Sequence, residues 1–186
     1  MTMKRDNGFT LIELLVTMVV VVVLLATGVP SLQQFIKNNR VSGQAGKLII
    51  ALQVTRSEAV KRESGTVICA STDKLTCSGD TNWATGWIVF SDLDQDGDLD
   101  GSGTCSTYDD SLTRECIIRA SEPIQKSTLT AAAPDVASEV RFLPSGFTGN
   151  GPVTFTLKSH NCRYQQQRSI TVTLQGHTSS TPQDCS

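Results

Sequence analysis

The sequence has 186 residues, with 18 acidic and 16 basic side chains and a formal net charge of −2. That length holds one modest core and one appended element, and so even a charge balance excludes a globally basic surface of the kind that grips nucleic acid or anionic lipid. Six cysteines without a Cys-x-x-Cys pair, and only two histidines (His160 and His177), exclude the common zinc and redox motifs.

Residues 1–8 are polar and basic, whereas residues 9–29 are apolar with a single charge, Glu13. At helical rise the apolar run reaches about 31 Å, the thickness of a bilayer's hydrocarbon core. Lys4 and Arg5 ahead of it place that end in the cytoplasm. An ordinary cleaved signal, with Ala26-Thr27-Gly28 as its small-residue site, is the plain alternative. Glu13 argues against it: a discarded signal has no use for a costly intramembrane carboxylate, and a retained segment can pair it.

Gly8-Phe9-Thr10-Leu11-Ile12-Glu13 resembles the class III leader of type IV prepilins and pseudopilins. The resemblance implies cleavage between Gly8 and Phe9 by a prepilin peptidase and N-methylation of Phe9. Residues 1–8 would be the leader, and 9–30 would stay as a single-pass anchor in the bacterial inner membrane, with the rest of the chain periplasmic. It also implies an assembly role for Glu13, which would meet the N-terminal amine of a neighbouring subunit. Two opposite charges in a low dielectric are each costly alone and attractive together.

Pro30 predicts a kink, with the helix continuing beyond it. Through residues 31–64 the pattern is amphipathic: Val41, Ala45, Leu48, Leu52, Thr55 and Ala59 recur at spacings of three and four and form one stripe. Glu58 and Arg62 form an i,i+4 pair placed on the outer face, and Gly65 is the expected C-cap. After Gly65 the period changes to two. Segments 66–70, 86–91, 115–120, 139–143, 153–158 and 169–174 read as strands separated by turn residues. A helix followed by a run of strands predicts an α+β domain over residues 65–186.

Arg56-Ser57-Glu58-Ala59-Val60-Lys61-Arg62, then Val67-Ile68-Cys69, then Gly86-Trp87-Ile88-Val89-Phe90 resemble the GspH/FimT family of minor pilins and H-type pseudopilins. The resemblance implies the type IV pilin-like fold, a long N-terminal helix packed on an antiparallel β domain. It implies as partners a major pilin, other minor pilins and an inner-membrane assembly platform, first in the membrane and then in a pilus or pseudopilus. The seven-residue run beginning at Arg56 is nearer the pilus branch. Some members bind DNA through a C-terminal Gly-Arg-x-Arg motif. The matching place here reads Gly176-His177-Thr178-Ser179, without either arginine, and a histidine does not replace a permanently charged guanidinium on phosphate.

The acidic stretch Asp92, Asp94, Asp96, Asp98 and Asp100 alternates with other residues, and Asp92-x-Asp94-x-Asp96-Gly97 copies the opening of a calcium loop. Gly103 stands at the twelfth position, where a bidentate glutamate belongs, and a strand precedes the loop in place of a helix. The plainer alternative is a solvated hairpin loop. Cys69, Cys77, Cys105, Cys116, Cys162 and Cys185 lie in the exported part, so disulfides are expected. Of fifteen pairings, the nearest-neighbour one is simplest. No nucleophile, base and orienting group fall together, so no enzymatic activity is expected. Trp83 and Trp87 are expected in the core or at a subunit interface.

Overall fold

The computed structural model of the chain describes residues 10–101, 103–106, 113–132 and 137–185. It opens with one helix, α1 (Leu11–Arg62), which passes through Pro30 without ending. Five valines at 19–23 are poor helix formers in water. In hydrocarbon the order of preference is set elsewhere, because a single segment satisfies its backbone there only as a helix. The chain divides into two compact units, Met1–Asn38 and Asn39–Ser186.

In the second unit eight strands follow: β1 (Gly65–Ala70), β2 (Trp87–Asp92), β3 (Ile117–Ala120), β4 (Ser127–Ala132), β5 (Glu139–Phe142), β6 (Val153–Ser159), β7 (Gln167–Val172) and β8 (Thr178–Gln183). They form two antiparallel sheets rather than one, in the orders β3-β2-β1-β5 and β4-β6-β7-β8. The main core lies between the helix stripe and both sheets. Val41, Ala45, Leu48, Leu52, Thr55 and Ala59 are all buried there, joined by Ala51. Thr55 tolerates burial because its hydroxyl donates to the Ala51 carbonyl at 2.7 Å. Trp83 and Trp87 belong to this core. Trp83 meets the Phe155 ring edge-on at 4.8 Å and donates its indole N–H to the Ala137 carbonyl.

Three side chains of α1 fasten it to two loops and to β7. Gln44 donates to the Gln125 carbonyl at 2.9 Å, Arg56 to the Gly146 carbonyl at 3.0 Å, and Ser42 accepts from Arg168 at 2.9 Å.

In the sheet containing β1, the central strands β1 and β2 are buried on both faces. Ile68 and Val89 face the main core, while Val67, Cys69, Ile88, Phe90 and Ile117 form a second cluster with Leu99 and Cys77 packed against it. The described part of the connection from β2 to β3 covers that second face through Leu99. It is held by the Cys105–Cys116 disulfide and by paired bonds between Cys105, Gly103 and Ile117.

Two local expectations are corrected. The helix does not end on Gly65. Glu63 takes the left-handed conformation (φ 52°), and the N–H groups of Glu63 and Ser64 bond back to the carbonyls of Val60 and Ala59, which completes a Schellman cap. Gly65 opens β1 instead. A Cβ there would lie 2.6 Å from the Asp92 carbonyl oxygen, so glycine is required by close strand approach. The Glu58–Arg62 pair forms, at 2.7 Å from Arg62 Nε, but is not on an open face: the Arg62 side chain is 5% exposed and Glu58 19%.

Strands β4 and β8 carry no counterpart among the expected elements. β4 alternates buried and exposed residues with only Leu129 and Ala131 buried as apolar positions, and β8 is an edge strand with no buried residue. Pro182 is tolerated on that edge.

Candidate functional site

Residues 10–36 are exposed throughout, and α1 contains a window of mean hydropathy 2.6 with none of it buried. This is a helix long and apolar enough to cross a membrane. Within the apolar run, Thr17 donates to the Leu14 carbonyl at 2.9 Å and Thr27 to the Val23 carbonyl at 3.2 Å, so both hydroxyls are satisfied locally. Glu13 is the charged residue of the run.

The start of α1 positions Glu13. Thr10 acts as N-cap, its hydroxyl accepting from the Glu13 N–H at 3.3 Å, and its carbonyl accepts from Leu14 at 3.2 Å. Thr-x-x-Glu is the capping-box spacing, a signal present in the sequence that identifies Thr10 as a residue setting where Glu13 stands. A carboxylate in the first turn also faces the positive end of the helix dipole. Among the described residues no basic group pairs with Glu13. Gly8 and Phe9, expected as the processing site, lie outside the described residues.

The acidic loop follows β2 directly. Asp92, Asp94 and Asp96 each bring a carboxylate oxygen within 4.8 Å of the others. Asp98 and Asp100 do not join that cluster and are exposed. Asp92 is fully buried, paired across the ladder with Gly65, and burial pushes its carboxyl up to about 6 while Glu115 adds repulsion. Glu115, expected only as the start of a strand, sits buried at the loop base. One oxygen accepts from Leu93 at 2.8 Å and the other from Asp100 at 2.9 Å, so it ties the two ends of the loop together. Arg141 packs over Gly97 and donates to the Gln95 carbonyl at 3.2 Å and to Glu139 at 2.8 Å. No local pattern marks Glu115 or Arg141, since both reach the loop through tertiary folding.

The three disulfides join Cys69 to Cys77, Cys105 to Cys116 and Cys162 to Cys185. The first closes a loop built around Asp73, whose carboxylate accepts from the N–H groups of Leu75 and Thr76, each at 2.8 Å, and from the Thr76 and Ser71 hydroxyls. These bonds hold it well below the usual carboxylate range.

Gly176 and His177 form the turn before β8. Arg168 on β7 is engaged with the Gln165 and Gln167 carbonyls and with Ser42, and Tyr164 is exposed in the preceding turn. His160 and His177 stand in the β6–β7 and β7–β8 turns.

The family described as type II transport protein GspH matches residues 44–176, and the prokaryotic N-terminal methylation motif matches residues 3–29. No curated protein matches the sequence significantly. The fold is similar to that of the type IV minor pilin FimU of Pseudomonas aeruginosa. The TM-score is 0.55 at 21% identity over 80% of this chain and 92% of that one; a second crystal form gives 0.51 at 19%, over 76% and 92%. The minor pseudopilin EpsH of the Vibrio cholerae type 2 secretion system gives 0.49 at 12%, over 77% and 97%. The apolar helix with its methylation motif fits a membrane anchor, and the matched domain spans most of the remaining chain: the protein belongs to the GspH family of minor pilins and pseudopilins.

Proposed function

We propose that the protein is a minor subunit of a type IV pilus that primes filament assembly or sits near its tip. The observation that carries this reading is Glu13, held in the first turn of α1 within the N-terminal methylation motif, where the helix is apolar and exposed. A prepilin peptidase would cut between Gly8 and Phe9, and methylation would follow on Phe9. The new amine then supplies the cation that a lipid-buried carboxylate needs. The assembly platform in the inner membrane would lift the helix into a bundle with the major pilin and other minor pilins, leaving the two-sheet domain outward in the oxidising compartment that its disulfides require.

The run Arg56 to Arg62 supports the pilus branch. The family's own description supports a second reading, an H-type subunit of a type II secretion filament. Deletion of the gene separates them. The pilus reading expects surface pili to be lost and regained with the intact gene, while exoprotein secretion continues throughout. Normal piliation with blocked secretion assigns the protein to the secretion filament.

A further inference from the structure

We propose that the loop after β2 is a calcium site built from Asp92, Asp94 and Asp96. The acidic spacing alone does not carry this; the state of Asp92 does. Its side chain is fully buried, and neither carboxylate oxygen makes a hydrogen bond to a protein group. The N–H groups of Gln95 and Gly97 lie near enough to favour its charged form but outside hydrogen-bond geometry. A buried acid with both oxygens unpartnered is costly, and native proteins pair such groups or place them on metals. Asp92 is aimed at the place where the other two carboxylates converge.

The cluster has the dimensions of a coordination shell. Ligands at about 2.4 Å on opposite sides of one ion stand about 4.8 Å apart, the calcium–oxygen range, and the three carboxylate oxygens lie within 4.8 Å of one another. The donors are all hard oxygens, with no thiolate or imidazole among them, which selects calcium or magnesium over zinc and copper. Magnesium requires a nearly ideal octahedron and keeps most of its waters, so an adaptable loop with three carboxylates suits calcium better.

The local cation does not fill the role. Arg141 directs its hydrogen bonds to Gln95 and Glu139, its Nε has no partner, and no ion pair joins it to Asp92. Its guanidinium lies so close over Gly97 that a Cβ there has no room, and it shapes the outer side of the loop. Glu115 is already committed to the N–H groups of Leu93 and Asp100 and so frames the site from below. Asp92 thus feels the repulsion of Glu115, with Arg141 acting on it through charge and not through an ion pair. Because Leu99 from this loop packs on the second core cluster, ion binding would tighten the cover over that face.

The test uses the full chain in detergent, stripped with a chelator and titrated with calcium chloride alone at physiological salt, read by calorimetry and thermal unfolding. One saturable site is expected, with Kd in roughly the 0.1–1 mM range of extracellular modules, together with a rise in Tm. Magnesium chloride should reproduce neither. The exposed pair Asp94→Asn with Asp96→Asn should weaken binding roughly tenfold or more, since ligand charge sets affinity. The pair Asp98→Asn with Asp100→Asn, which removes the same charge, should bind as wild type. The site is overturned if wild type shows no saturable heat and no Tm change. Equal loss in both double variants, or an equal response to magnesium, also overturns it in favour of a diffuse counter-ion cloud.

Discussion

Arg56 shows how a residue that looked like a family marker in the sequence has a physical task. Its Nε donates to the Gly146 carbonyl at 3.0 Å, linking α1 to the turn between β5 and β6. Arg56→Ala removes that donor at a partly exposed position, so a loss of about 1 kcal/mol is expected in denaturant unfolding of the full chain. Asp73 acts at the same scale through hydrogen bonds that favour its charged form. Because its carboxyl is lowered in the fold, the stabilisation is complete above the ordinary carboxylate value of about 4 and declines as pH falls through it toward the native value. The stability gap between wild type and Asp73→Asn should therefore be constant near neutrality and shrink below about pH 4. A gap that widens in acid would mean that the loop draws its order from elsewhere.

At the level of elements, the second part of α1 is held by its buried stripe. Leu52 is fully buried in the main core, and Leu52→Ala should cost about 2–5 kcal/mol, read as a lowered denaturation midpoint. The stripe was legible in the sequence because period-3.6 burial writes itself directly into residue type. Six strands were legible as short apolar or alternating runs bounded by turn residues. β8 was not, since every residue on that edge is exposed or half-buried and the strand exists through its ladder to β7. Nor was β4, whose threonines and alanines give little contrast. The site follows the same division. Glu13 and the alternating aspartates are local patterns. The burial of Asp92, the clasp by Glu115 and the partial burial of Glu58 and Arg62 arise only once distant segments meet.

For the molecule as a whole, the chemistry divides by compact unit. The first unit presents an apolar helix with one carboxylate, and the second a disulfide-fastened double sheet. An exposed apolar surface of this kind needs either lipid or other helices around it. Glu13→Ala should leave membrane levels unchanged and lower co-assembly with the other pilins, measured by co-purification from sheared filaments. Normal incorporation would remove the proposed docking role. The central claim, that the apolar helix is retained after trimming at a glycine, is tested most directly by mass spectrometry of the protein isolated from its native membrane. The predicted N-terminus is Phe9 carrying one methyl group; a start beyond the apolar run, or an untrimmed leader, contradicts it.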